Sequence, residues 1–187
     1  MNIFGKLKEA LRDKTRDDVC TYLNMVGVDA KLAERGIAEE KATVPRGRGS
    51  LGLIEIRKSP IHFVHVVVAA AERKRYYTTL LLAHDPSVHD KGRLKARSKR
   101  VKERLLIGKV IDVVWKGNLG EDIIERLNND QHLKQELIRL GCDVTIGTCP
   151  DIGYWKIEPP RDYIPWVRKE WKIFEKIGHH LNPQRDG

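Results

Sequence analysis

The chain is poor in the features that announce a chemistry. Its 187 residues hold three cysteines, Cys20, Cys142 and Cys149, too few and too scattered for a disulfide framework. With no secretory pattern ahead of them they point to a reducing compartment, and the cytoplasm is the expected address. No apolar run approaches the roughly 18 residues that span a bilayer. The longest, "VHVVVAAA", is short and β-branched and predicts a buried strand. "MNIFGKLKEALRDK" carries a charge after nearly every apolar pair, so it lacks the apolar centre of a signal peptide. Aromatic residues make up 6% of the chain, which argues against a base-stacking platform. Gly-x-Ser-x-Gly, Gly-x-Gly-x-x-Gly and P-loop patterns are all missing, so no cofactor is expected and a serine or cysteine nucleophile has no support.

What is present is a patterned α+β chain. Residues 1–42 read as a helical N-terminal part: Ile3, Phe4, Leu7 and Leu11 recur at helical spacing, as do Val19, Leu23 and Val26, and "DAKLAERG" adds a helical turn. Residues 51–159 form the sheet-containing core. "LGLIEIRK", "IHFVHVVVAA", "RYYTTLLLAH", "KVIDVVWK", "CDVTIGT" and "GYWKIE" are its strand candidates, the second and third joined as a hairpin. Between 110–115 and 143–148 lie two short helices, 119–128 and 130–140, separated where the apolar stripe changes phase at "NND". Strand, helices, strand is a crossover, which predicts that the two strands run parallel. Residues 163–181 make a final helix with Trp171, Phe174 and Ile177 at helical spacing. The expectation is one α+β domain over 1–187, with a mixed, mainly antiparallel sheet of about five or six strands, one βαβ crossover and flanking helices.

Charge is concentrated. Residues 91–104 hold eight Lys and Arg against one Glu, nearly the whole of the chain's +9 excess, while the flanks are close to neutral. As a helix this segment has a narrow seam of Leu94, Ser98, Val101 and Leu105, flanked by Lys91, Lys95 and Lys102 on one side and Arg93, Arg97 and Arg104 on the other. As a strand it puts Lys91, Arg93, Lys95, Arg97 and Lys99 on one face. "LLI" at 105–107 and the poor β-propensity of Lys favour the helix. Only Glu103 could neutralise a neighbour, with Lys99 or Arg100, so the cluster costs stability unless a partner or an acidic patch offsets it.

The leading expectation is a non-enzymatic protein that binds the backbone of RNA or DNA through Lys91, Arg93, Lys95, Arg97, Lys99, Arg100, Lys102 and Arg104. Arg46 and Arg48 of the Gly-rich "RGRGS" loop assist, and Tyr76 and Tyr77 lie beside the basic "ERKR". The competing class is an assembly module whose basic segment meets an acidic protein, with Trp166 in the interface. A third reading is metal-dependent phosphodiester cleavage, with Glu55, Arg57 and Asp112 as the minimal kit. "WKGNLGE" falls short of a nucleotide fingerprint, with Asn118 starting a helix. His84, Asp85, His89 and Asp90 lack metal-ligand spacing, so no metal is expected.

Overall fold

Alternation of apolar residues at a period of two builds the core of this protein from one face of a sheet. The computed structural model describes residues 13–69, 74–84, 92–103, 108–160 and 168–183. Its elements are α1 (Thr15–Met25), β1 (Asp29–Leu32), α2 (Ala38–Thr43), β2 (Gly49–Arg57), β3 (Phe63–Ala69), β4 (Arg75–Ala83), β5 (Lys95–Lys102), β6 (Val110–Gly117), α3 (Glu121–Asn129), α4 (Gln131–Leu140), β7 (Thr145–Cys149), a 3₁₀ turn (Pro150–Ile152), β8 (Tyr154–Glu158) and α5 (Arg168–Leu181). The strands form a single sheet in the order β1-β2-β3-β4-β8-β7-β5-β6, and every ladder is antiparallel.

One row of paired residues crosses all eight strands: Leu32, Ile54, Val64, Leu80, Ile157, Ile146, Ala96 and Gly117. On this face α1, α3, α4 and α5 pack with Val19, Leu23, Leu127, Leu133, Leu137, Trp171, Phe174 and Ile177, closing over Trp115 and Trp155. Fully buried aromatic and aliphatic side chains of this kind supply most of the driving force for folding, about 1.5–3 kcal/mol each.

The sheet is larger than the five or six strands expected, because two segments read as helical are strands. The first is "DAKL". Its four residues pair with β2, and Asn24 of α1 secures Ala30 from outside, donating to its carbonyl at 2.8 Å and accepting from its N–H at 3.2 Å. The second is the basic segment. Nor is the sheet mixed: it has no parallel ladder among the described residues, and the expected βαβ pairing is not made. β6 and β7 do run parallel, since both are antiparallel to β5, but β5 lies between them.

Other expectations are met closely. Asp130 divides α3 from α4 and caps the latter, accepting from the Leu133 N–H at 2.8 Å, and Gly141 closes it in the left-handed conformation. Asn118 does not cap α3 as expected. Its side chain accepts the Lys95 N–H at 2.7 Å, tying the start of β5 to the end of β6. At the far edge Asn128 holds Trp115, accepting from its N–H at 2.8 Å and donating to its carbonyl at 3.1 Å. Residues 1–12, read as helical, and the expected start of the final helix at 163–167, with Trp166, lie outside the described residues.

Candidate functional site

The basic segment is a strand because its inward positions are small. Ala96 and Ser98 are buried while Lys95, Arg97 and Lys99 are exposed, a period of two. Ser98 satisfies itself in the core: its hydroxyl accepts the Val144 N–H at 2.7 Å. Opposite Ala96, Gly117 leaves no room for a side chain, since a Cβ there would fall 2.1 Å from the Lys95 carbonyl. The helical seam does not form, and Val101, placed in it by the sequence, is exposed. Gains in two ladders, with β6 and β7, outweigh the modest β-propensity of lysine.

This register turns Lys95, Arg97 and Lys99 toward the sheet face opposite the helical core. Lys116 pairs with Arg97, so it faces the same way. Lys95 pairs with Gly147, and Gly147 with Lys156, which brings the β8 lysine into the same row. Three of the cations are answered internally. Arg97 and Arg100 each reach Asp143 at 3.2 Å, and Arg100 also bonds the Gly141 carbonyl that ends α4. Lys156 meets Glu158 at 3.3 Å. Arg93, Lys95, Lys99, Lys102 and Lys116 have no acidic group within 4.0 Å among the described residues. Lys91 and Arg104 lie outside the described residues.

The other half of the same face is finished differently. Here α2 crosses the sheet, and Leu53, Val67 and Leu81 are buried outside the helical core. Its anchor is His65 of β3, completely buried, whose Nδ1 lies 2.7 Å from the Thr43 hydroxyl and Nε2 2.9 Å from the Ser50 hydroxyl. Ser50 donates to Glu40 at 2.5 Å, and Glu40 also takes Arg35 at 3.0 Å and the Gly36 N–H at 2.7 Å. Burial pushes the His65 pKa down to about 4, against the pull of the Glu40 carboxylate. Burial would raise Glu40, yet hydrogen bonds from Ser50 and Gly36, with Arg35 beside it, hold it below its ordinary value. Ser50 gives its proton to Glu40 and Thr43 gives its own to the Glu39 carbonyl at 2.6 Å, so both hydroxyls face the ring as acceptors and a neutral His65 donates to one of them at a time. A serine nucleophile needs the reverse transfer. The cluster is a latch for α2, and the sequence hid it because its members are far apart in the chain.

Arg48 and Tyr77 also come together, the guanidinium carbon 3.5 Å from the ring centroid, a cation–π contact. Arg48 immediately precedes β2 and Tyr77 lies on β4, and both strands are at least three spacings from β5, so Arg46 and Arg48 are separate from the β5 row. Tyr76 has the opposite role to the stacking one: it bonds Asp13 at 3.1 Å, as does Lys74 at 3.0 Å. Burial raises the Asp13 carboxyl, but hydrogen bonds from Thr15, Lys74 and Tyr76 bring it to about 2.

Glu55 lies on β2, paired with Lys31 at 3.1 Å and Arg57 at 3.5 Å. Asp112 lies on β6, paired with Lys134 at 2.8 Å. Six strand spacings, about 29 Å measured along the sheet, separate the two strands, and each carboxylate is engaged by a lysine of its own. Among the described residues no group of three or more His, Cys, Asp or Glu is arranged to hold a metal; Asp85, His89 and Asp90 lie outside those residues. All three cysteines are free, and burial raises each thiol, Cys142 to about 11, away from nucleophilic use.

A cavity of about 360 Å³ lies where the covered and lysine-bearing halves meet. Gly147 lies in its lining between Lys95 and Lys156, with Ala42 of α2 and Pro150 and Asp151 of the 3₁₀ turn. No protein-family model, no curated protein and no solved structure gives a significant match to this chain. No described helix is long and apolar enough to cross a membrane.

Proposed function

We infer that this protein binds the phosphate backbone of a nucleic acid on the lysine-bearing half of its sheet. The observation that carries the reading is the register of β5, which aligns Lys95, Arg97 and Lys99 beside Lys116 on one face. Arg93 stands at the entry to that strand, whereas Arg100, paired with the core residue Val113, and Lys102 alternate with the row and do not share its face. Alternate residues of a strand repeat about every 6.6 Å, so the row offers a line of evenly spaced cations to an extended polyanion. No base-reading side chain is required; contacts to phosphate position the ligand without selecting sequence. Three unpaired thiols suit a reducing cytoplasm.

The test is titration of labelled RNA and DNA oligonucleotides at two salt concentrations. Affinity should fall steeply with salt. The triple change Lys95→Gln, Lys99→Gln, Lys116→Gln should weaken binding about 30-fold and flatten the salt slope by about two to three. No binding at low salt, or equal binding by the triple variant, would reject the reading.

An acidic protein partner is the second reading. It is favoured by Val101 and Ile111, exposed at 38% and 56% beside the cations of the β5–β6 ribbon. Cross-linking that traps a protein while oligonucleotides fail to compete would support it.

A further inference from the structure

The row of cations does not run off the edge of the sheet. Followed along β5 from Lys99 through Arg97 to Lys95, it leads into the cavity at the boundary with the covered half. There Lys95 and Lys156 stand two strands apart, about 10 Å between backbones, with Gly147 between them. Gly147 lends no side chain, so the floor of the cavity drops to the backbone at that point. The Lys156 stem crosses it, its Cε only 3.2 Å from where a Cβ would sit. Arg93 adds a third cation to the lining, and neither it nor Lys95 has an acidic partner among the described residues. Ala42 of α2 and the 3₁₀ turn form the wall in which the row ends, and those two elements pack on each other.

The lining is not simply cationic. Asp151 and Glu158 are also in it. A bare anion gains nothing from carboxylates, whereas a nucleotide carries both an anion and hydroxyl donors. Carboxylates accept from ribose hydroxyls while cations hold the phosphate. A volume of about 360 Å³ is at the small end of ligand sites, suited to one nucleotide and not to a continuing strand. We propose that this cavity receives the phosphate-bearing terminal nucleotide of an RNA strand whose backbone lies along the β5 row. The proposal rests on the nucleic-acid reading above and adds to it an end preference and a sugar preference.

The experiment compares anisotropy of one labelled ten-nucleotide RNA in four forms: 5′-phosphorylated, 3′-phosphorylated, unphosphorylated at both ends, and phosphorylated on a terminal 2′-deoxynucleotide. One phosphorylated end should bind about five- to tenfold tighter than the unphosphorylated strand, and the terminal deoxynucleotide should lose part of that gain. Gly147→Val, which fills the floor, should erase the difference while retaining binding of the unphosphorylated strand; Lys156→Gln, which leaves the ladder untouched but removes a cation of the row, should erase the difference and weaken all four strands modestly. Lys172→Gln on α5 removes equal charge elsewhere and should leave the difference intact. Equal binding of all four strands by the wild type overturns the end site and leaves the row standing. Failure of every strand to bind at low salt removes both readings. Adenosine monophosphate competing with none of the bound strands, or a preference surviving both cavity variants, also overturns the end site.

Discussion

The two halves of one sheet face are built from the same strands and finished in opposite ways. On the β2–β4 side, α2 is pinned over the sheet by a buried histidine, and the charges of Arg35 and Glu40 neutralise each other. On the β8–β7–β5–β6 side cations stand exposed, and among the described residues only Asp143 and Glu158 answer any of them. The first arrangement lowers the energy of the folded chain. The second leaves like charges together, which raises it unless an outside anion supplies what the fold withholds. That contrast separates the residues that hold the fold from those that the proposed binding would use.

The strongest way to break the contrast is to remove the latch. His65→Ala leaves Thr43 and Ser50 without their shared partner and opens a void beneath α2. We expect about 4 kcal/mol of lost stability in urea unfolding, with oligonucleotide affinity nearly unchanged while the protein is folded. A mutant that unfolds normally but no longer binds would put the ligand on the covered half instead.

Acid should loosen the same half. Folded His65 has a pKa of about 4, against about 6.5 when unfolded. Between these values the unfolded chain takes up a proton that the folded one refuses. The contribution is therefore complete above about pH 6.5 and is lost on the way down to pH 4, some 3 kcal/mol in all. Glu40, held below its ordinary value, extends the loss to lower pH. Unfolding midpoints of wild type and His65→Gln at pH 7.5 and 5 should converge in the acid; parallel curves would contradict the assignment.

The mildest change sharpens the other half. Asp143→Asn frees Arg97 and Arg100 from their shared carboxylate. Stability should drop by less than about 1 kcal/mol, as exposed pairs contribute little, while oligonucleotide affinity rises about two- to threefold. A weaker affinity would mean that Asp143 positions the arginines for binding.

Much of this fold is legible where burial on one face imposes a clear period. The six strands read from the sequence all exist, and the α3–α4 break is visible as a phase change at Asn128-Asn129-Asp130. The sequence misled where the inward residues are small or polar. Ala96 and Ser98 carry no apolar signal, so a strand with lysines on its outer positions imitates a helix with a thin seam. "DAKL" has only Ala30 inward, and its stability comes from β2 and from an asparagine six residues earlier. The candidate interface was legible as charge but not as geometry, since Lys116 and Lys156 join it only through pairing across the sheet. The His65 latch left no local trace at all.

The two asparagines at the borders of the sheet have a wider meaning. Asn24 and Asn128 each offer one donor and one acceptor to an outermost strand, the pair of bonds a ninth or tenth strand would make. An open ribbon thereby acquires something of the self-sufficiency of a barrel: at Ala30 and at Trp115 its backbone is already spoken for. A copy of the chain arriving edge-on would have to evict a helix-borne amide before it could add itself, so growth of the sheet into a fibre is blocked at both borders.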